Sequence, residues 1–553
     1  MKHDYKNSEN GTLSFREPPL VDSLNSTHGI KKRQVGLFYF LWLGEHGRHA
    51  PYDVSKILAQ DHDAGHKPDS DVWGGEGVYH HWGEPLYGYY YSDDEWVVRK
   101  HMKLIIAADI DFLFFDTTNA VIYENNAKLV MRILDEYAAD GWKIPKVMFY
   151  TNTNSGKTVE EIYNKIYAAN YMPRTWFTYE GKPLIIAKRA ECSEETLSFF
   201  TFREAQWPNE GAKSGGWPWM DFTRPQRVFT DFDGNDEVIN VSVAQHPQLR
   251  FGDSAMYGED GNCGRAYHDG KNDSANDGYT QGYNFIEQFE RAIEADVPVV
   301  LITGWNEWIA GRWKGIEERP IMFVDCANYE YSRDIEMMRG GYGDSYYRQM
   351  IECVRKYKGT NADIRELNPG ETAEFVNFTD DGIPRNHAGS ATVYENYTAR
   401  NIIERITVSQ NGCDLIFAIY TKDEITHQNH DCENGGSWMK LFVSSDDGKT
   451  TFAINDSPKS DTVTTVAQIC SCDDFSETKH VSDISYNCEG NKIEFTVPFT
   501  AIGVTDDIAD FNLQIKAADS KVRYKSPLDF YNLGCAAPIG GLYFTVKVLT
   551  RLG

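Results

Sequence analysis

The sequence predicts an α/β protein: a (β/α)8 TIM barrel followed by an antiparallel β-sandwich domain. Three observations carry this expectation. At 553 residues the chain is too long for one ordinary core. From residue 34 to 359, short apolar runs alternate with helix-periodic stretches. After Gly359 the texture changes to short alternating runs broken by turn dipeptides.

The polar residues 1–33 read as a lead-in segment. Eight strands are then expected, beginning with "QVGLFYFLWL" (34–43), "DFLFFD" (111–116), "KVMFY" (146–150) and "PLIIAK" (183–188). The other four are "FFTFR" (199–203), "WPWMDF" (217–222), "INVSVAQ" (239–245) and "VPVVLIT" (297–303). The sixth is the weakest strand pattern because Pro218 removes a ladder donor. Apolar residues at three- and four-residue steps predict helices over 94–109, 126–140, 283–296 and 343–359. A barrel is favoured over a doubly wound open sheet because no G-x-G-x-x-G opens a helix after the first strand. Past the linker-like "TNADIRELNPGETAEF", residues 360–553 read as the sandwich. There Asn411-Gly412 and Asp447-Gly448 mark hairpins between apolar runs.

Composition narrows the function. Lys+Arg of 55 against Asp+Glu of 82 gives 55 − 82 = −27, a charge that repels nucleic acid and anionic membranes. Aromatics are 13% of the chain, a surplus that fills cores and also suits sugar rings, whose C–H faces pack on indoles. The ten cysteines show neither a CxxC nor zinc-like paired spacing, so no metal site is expected and no cofactor is required. The opening "MKHDYKNSENGTLSFREPPL" has no apolar core of a signal peptide, so the sequence as written reads as cytoplasmic. A trimmed form of an extracellular or periplasmic protein would look the same. Oligomeric state is not readable.

In a barrel the C-terminal strand ends face the active site. Those ends carry Trp42, Asp116, Asn119, Glu204, Asp221, Gln245, His246 and the run Trp305-Asn306-Glu307-Trp308. No serine elbow, Cys–His pair or P-loop stands among them. Carboxylates, amides, imidazole and indoles suit glycoside chemistry, in which two carboxylates flank the scissile bond. Each also has a structural reading: a strand-end carboxylate serves as a helix cap or an arginine partner, and Trp42, Trp82, Trp217 and Trp219 serve as core. Asp116 follows an uncharged run, so it must be paired or functional.

The stretch "ITGWNEWIAG" resembles the last-strand signature of barrel glycosidases related to the family-99 endo-α-mannosidases, the family-71 α-glucanases and the WbsX-type polysaccharide proteins. In that group a T/S-x-x-N-E-W string closes strand eight and its glutamate is catalytic. "GLFYFLWL" is similar to their first strand, and "NYEYSRDIEMM" (328–338) to their segment after strand eight. The resemblance implies that Glu307 is nucleophile or base in a retaining-type hydrolase. It departs at Ala310, where the family-99 pattern E-W-x-E keeps a second glutamate. The partner carboxylate is therefore expected elsewhere: Asp116 first, then Glu204 and Glu336. Trp42, Trp82, Glu84, Asn119, Trp217, Gln245, His246, Arg265, Trp305, Asn306 and Trp308 are the expected substrate-binding residues for an oligo- or polysaccharide. The C-terminal part resembles family-9-like carbohydrate-binding sandwiches, which implies a glycan site or a structural calcium. The competing readings are a non-catalytic glycan-binding barrel and another carbohydrate-active enzyme, a lyase or transferase.

Overall fold

A computed structural model describes residues 33–246, 255–257, 261–273, 275–323, 328–360, 364–379, 382–428, 436–445, 450–471, 473–505 and 510–550. The expected lead-in segment and the Asp447-Gly448 hairpin tip lie outside the described residues. The chain divides into two compact units, one reaching Thr360 and including 388–393, the other formed by 361–387 and the residues from 394 onward.

The first unit is built on eight strands: β1 (Gln34–Tyr39), β2 (Phe112–Thr117), β3 (Lys146–Thr151), β4 (Lys182–Ala187), β5 (Thr201–Gln206), β6 (Gly216–Pro218), β7 (Asp236–Ser242) and β8 (Val299–Thr303). They pair in parallel in chain order, and β8 pairs in parallel back to β1. The result is a nearly closed, barrel-like sheet. Its seam lies between β6 and β7, which share no ladder among the described residues. Side chains bridge that seam instead: Asn240 donates to the Trp219 carbonyl at 3.1 Å and accepts from the Asp221 N–H at 3.2 Å.

Helices α1 (Glu95–Ala107), α2 (Glu124–Ala139), α3 (Ser155–Ile162), α4 (Glu194–Phe199), α5 (Tyr283–Ala295) and α6 (Ser345–Lys358) follow strands one to four, seven and eight. No helix follows β5 or β6 among the described residues, so strict β–α alternation fails at the seam. None of the described helices is long and apolar enough to cross a membrane.

Period-two alternation decides which side chains fill the barrel. Phe38, Phe40, Phe112, Phe114, Met148, Tyr150, Leu184, Ile186, Ala205, Trp217, Trp219, Val299 and Leu301 form one inner cluster. Phe38 stacks on Phe114 with centroids 4.7 Å apart, so the interior is a packed core and any site sits on top of it.

In the first unit, β9 (Ile309–Ile316) and β10 (Arg319–Phe323) pair as an antiparallel hairpin. The second unit carries strands β11 (Ile364–Leu367), β12 (Thr372–Val376), β13 (Ile403–Asn411), β14 (Asp414–Thr421), β15 (Ser437–Ser445), β16 (Thr451–Ile454), β17 (Val463–Ile469), β18 (Thr478–Glu489), β19 (Lys492–Pro498), β20 (Asp510–Ser520), β21 (Cys535–Ala537) and β22 (Phe544–Leu549). All pairings are antiparallel except β11 with β22. They form one continuous sheet whose edges are β11 and β12, strands consecutive in sequence. Two separate sandwich sheets were expected; a single barrel-like sheet is found. The expected hairpin does join β13 to β14: Asn411 pairs with Asp414, and Gly412, at φ +61°, is the first of the two turn residues.

Candidate active site

Glu307 stands four residues past the end of β8, in a loop whose backbone is held on two sides. Trp305 N–H bonds the Phe38 carbonyl at 2.8 Å. Asn306 then uses its side-chain amide as a ladder rung, accepting from Phe40 N–H at 2.9 Å and donating to Phe40 O at 3.1 Å. From the other side the segment 333–336 pairs with this loop through Gly304 N–H to Arg333 O and Glu336 N–H to Trp305 O. Asp334 accepts the Glu307 N–H and, at 2.9 Å, the Trp82 indole N–H.

The Glu307 carboxylate meets Arg333 at 2.6 Å, with both side chains almost wholly buried. The Arg333 guanidinium in turn lies 5.4 Å over the Trp219 ring. Burial pushes the Asp334 carboxyl up to about 7, against the opposing pull of Arg265, the Glu307 N–H and the Trp82 indole.

Asp116 shares the inward phase of Phe112 and Phe114 and ends β2, on the other side of β1 from β8. Its Oδ1 accepts Thr118 N–H at 3.0 Å. Around these strand ends lies an aromatic and amide group. Trp42 packs at 5.4 Å on His46 and 5.7 Å on Tyr79, and His46 stacks on Tyr79 at 5.1 Å. His46 Nε2 and Asn119 both bond the Tyr123 hydroxyl, at 3.0 and 2.6 Å. Desolvation lowers the His46 imidazole from its ordinary value.

Several expected site residues are placed elsewhere. Glu204 alternates with inward Ala205 and so faces the helix side, near Cys192. Glu336 is fully buried beneath the loop, where it accepts from Tyr90 at 2.7 Å, Trp308 at 2.5 Å and His101 at 3.0 Å. It is a buried anchor for the aromatic floor. Trp308 stacks on Trp82 at 4.4 Å, and both are closed to solvent. Trp305 turns outward against His101 and Tyr347. Asn306 spends both ends of its amide on the Phe40 backbone.

The remaining departures have similar causes. Trp217 points down the barrel, its N–H on Glu237 at 2.7 Å beside the buried Arg203. Arg265 is buried between Tyr342 and Tyr346 at 4.6 and 4.4 Å and donates to Ser332 and the Asp334 carbonyl. Glu84 is paired with Lys56 and Arg339. Asp221 is buried against Arg227 at 2.7 Å. Gln245 donates to the Asp221 carbonyl at 2.6 Å, and His246 lies 5.9 Å from Phe222, both at the end of β7.

Position 310 also resolves differently from the family pattern. Ala310 is the second residue of the strand β9 (Ile309–Ile316), opposite His80 of the short strand Tyr79–His81. Its methyl sits in an apolar cluster with Trp73, Ile321 and Phe323. The sequence reading missed Arg333, Asp334, Tyr79 and Tyr123. Arg333 and Asp334 lie within the quoted "NYEYSRDIEMM", where an adjacent Arg-Asp pair was the available signal.

Among the described residues no group of three or more His, Cys, Asp or Glu is placed to hold a metal ion. No disulfide joins any two of the seven described cysteines.

No protein-family profile and no curated protein matches the chain. Solved structures do. The GH99 endo-α-mannosidase from Bacteroides thetaiotaomicron is 18% identical, with a TM-score of 0.37, over 59% of this chain and 98% of that one. The same organism's enzyme in complex with bis-tris-propane gives 15% identity and a TM-score of 0.35 over 59% and 97%. A glycoside hydrolase-like protein gives 12% and 0.31 over 62% and 98%.

Proposed function

We propose that the chain is a glycoside hydrolase on a (β/α)8-type barrel, in which Glu307 and Asp116 carry the bond-breaking chemistry. The observation that supports this reading is selective placement. Of the four carboxylates expected to be catalytic, Glu204 faces outward and Glu336 is enclosed by three donors. Glu307 and Asp116 remain at the C-terminal ends of strands separated only by β1. Trp42, Tyr79, His46 and Tyr123 beside them offer the faces and hydroxyls a neutral sugar uses.

The roles follow from the surroundings. Glu307, held by Arg333, serves as base or nucleophile. Its aim is fixed by Asp334 on its own N–H and by the Trp219-backed guanidinium. Asp116 delivers the proton to the leaving oxygen. Positioned acid–base groups of this kind contribute about 10²–10⁴ in rate. A separation between the two carboxyls of roughly 5–5.5 Å in a substrate complex would mark a covalent retaining course, and roughly 6.5–9.5 Å an inverting one.

A second reading, a glycan-binding barrel without turnover, is favoured by Ala310, which lies in an apolar cluster where the related pattern has its second glutamate. Product analysis across a panel of neutral oligosaccharides separates the two. The hydrolase reading expects turnover by wild type, and a loss of about 10²–10⁴-fold in Glu307→Gln and in Asp116→Asn with glycan binding kept. Binding without product in wild type would overturn it.

A further inference from the structure

Trp313 stands out from β9 with 45% of its surface exposed, an unusual position for an indole. It does not stand alone. Gly311, on the same strand face, is paired with Tyr79. A side-chain carbon at Gly311 would lie 3.2 Å from the Trp313 indole nitrogen and 3.7 Å from the Tyr79 ring. The absent side chain thus lets the indole lean across the strand toward Tyr79. Tyr79 packs on His46 and Trp42, and Trp42 packs against the barrel core. An aromatic row therefore runs from the barrel mouth to the hairpin that β9 forms with β10 (Arg319–Phe323). The other face of β9 is different. There Arg312 and Lys314 border a recess of about 750 Å³ ringed by Asp69, Asp71, Glu76 and Glu317.

We propose that Trp313 is the outermost stacking subsite for a neutral glycan, whose chain runs from the barrel mouth past Tyr79 to the β9 hairpin. The inference rests on the carbohydrate reading above and extends it: the substrate is a chain several sugars long. An exposed indole face has little use for a single sugar held at the strand ends. It does suit a second ring of a polymer, whose apolar C–H face it covers at small entropic expense because the strand already fixes the indole. The uncharged row excludes the anionic polysaccharides that a basic groove would take.

The test is affinity electrophoresis of the full chain in gels containing soluble starch, α-mannan or hydroxyethylcellulose, with polygalacturonate as the anionic control. Trp313→Ala should bind its neutral polymer about tenfold more weakly than wild type, while Trp313→Phe keeps most of the affinity. Where cleavage occurs, Trp313→Ala should raise KM for long oligosaccharides, with kcat and all constants for a disaccharide-sized substrate unchanged. Equal retardation of wild type and Trp313→Ala, or retardation only by polygalacturonate, overturns the subsite whatever hydrolysis shows. A Trp313→Ala effect confined to oligomeric state in gel filtration overturns it as well. Wild type that is retarded more than Trp313→Ala yet releases no sugar upholds the subsite and removes the hydrolase reading alone.

Discussion

The contact between Glu307 and Arg333 makes the sharpest demand on the protein. Two opposite charges meet at 2.6 Å with side-chain exposures of 6% and 1%, above a packed aromatic core. Forming such a pair adds little net stability, because desolvation offsets the attraction; breaking it by removing one partner costs about 3–5 kcal/mol. Arg333→Met keeps the volume and removes the charge. It also removes the guanidinium from Trp219, worth about 1–2 kcal/mol more when desolvated. The expected loss is therefore about 4–7 kcal/mol, read by urea and thermal unfolding with tryptophan fluorescence at pH 7. The decisive comparison is the double variant. With the guanidinium gone, Glu307→Gln removes the buried charge that is left, so Arg333→Met/Glu307→Gln should be more stable than Arg333→Met by about 2 kcal/mol or more. A double variant less stable than Arg333→Met would falsify the account, as would a single-variant loss below about 1 kcal/mol.

Four further outcomes follow. Glu204→Gln should leave activity within about twofold of wild type while Asp116→Asn lowers it about 10²–10⁴-fold; a comparable fall in both, measured as initial rates, would refute the inward and outward assignment. Burial holds Asp334 up at about 7, so its folded-state penalty is absent below its unfolded value near 3.8 and complete above about 7. Unfolding free energies from pH 4 to 8 should show wild type losing on the order of 4 kcal/mol relative to Asp334→Asn as pH rises through that window, and a flat difference contradicts it. Burial also lowers His81 to about 3, so its contribution runs the other way: stability is intact above 6.5 and lost as pH falls toward 3, a loss that His81→Gln should reduce in an acid titration followed by circular dichroism. Finally, Ala310→Glu, which introduces an E-W-x-E spacing, should create no activity and should destabilise by several kcal/mol, about 3–5, because the carboxylate enters the Trp73–Phe323 cluster; a folded, more active variant would overturn the placement of that strand.

Most barrel strands were legible as apolar runs buried on both faces, the mark of a parallel sheet; the fifth and sixth, Thr201–Gln206 and Gly216–Pro218, overlap their expected spans 199–203 and 217–222 only in part. Even the Pro218 segment pairs with β5 as expected. The missing helices after β5 and β6 left no positive signal; those connections contain only turn residues and a short antiparallel strand at Val228–Thr230. The second unit was legible as antiparallel strands, but alternation states only that each strand has one buried face. It cannot say whether the faces belong to two sheets or to one that curls.

The site was legible less evenly, and the reason is phase. Inside a strand, inward and outward alternate without exception, so once Ala205 is assigned to the core, Glu204 must leave it, and once Phe112 and Phe114 are inward, Asp116 must be too. That deduction needed only the sequence and one anchor residue per strand. Past the strand ends the phase is lost. Trp305, Asn306, Glu307 and Trp308 are neighbours in sequence, yet they point to the helix layer, the Phe40 backbone, the barrel mouth and the Glu336 pocket in turn. What fixes each direction is a partner distant in sequence, and for Glu307 that partner is the segment 333–336. A motif therefore marks such a loop as special without saying which of its residues faces the ligand. In this loop the two indoles that frame the glutamate in sequence are floor and wall, and the aromatic surface left partly open to solvent belongs to Trp42, Tyr79 and Trp313 instead.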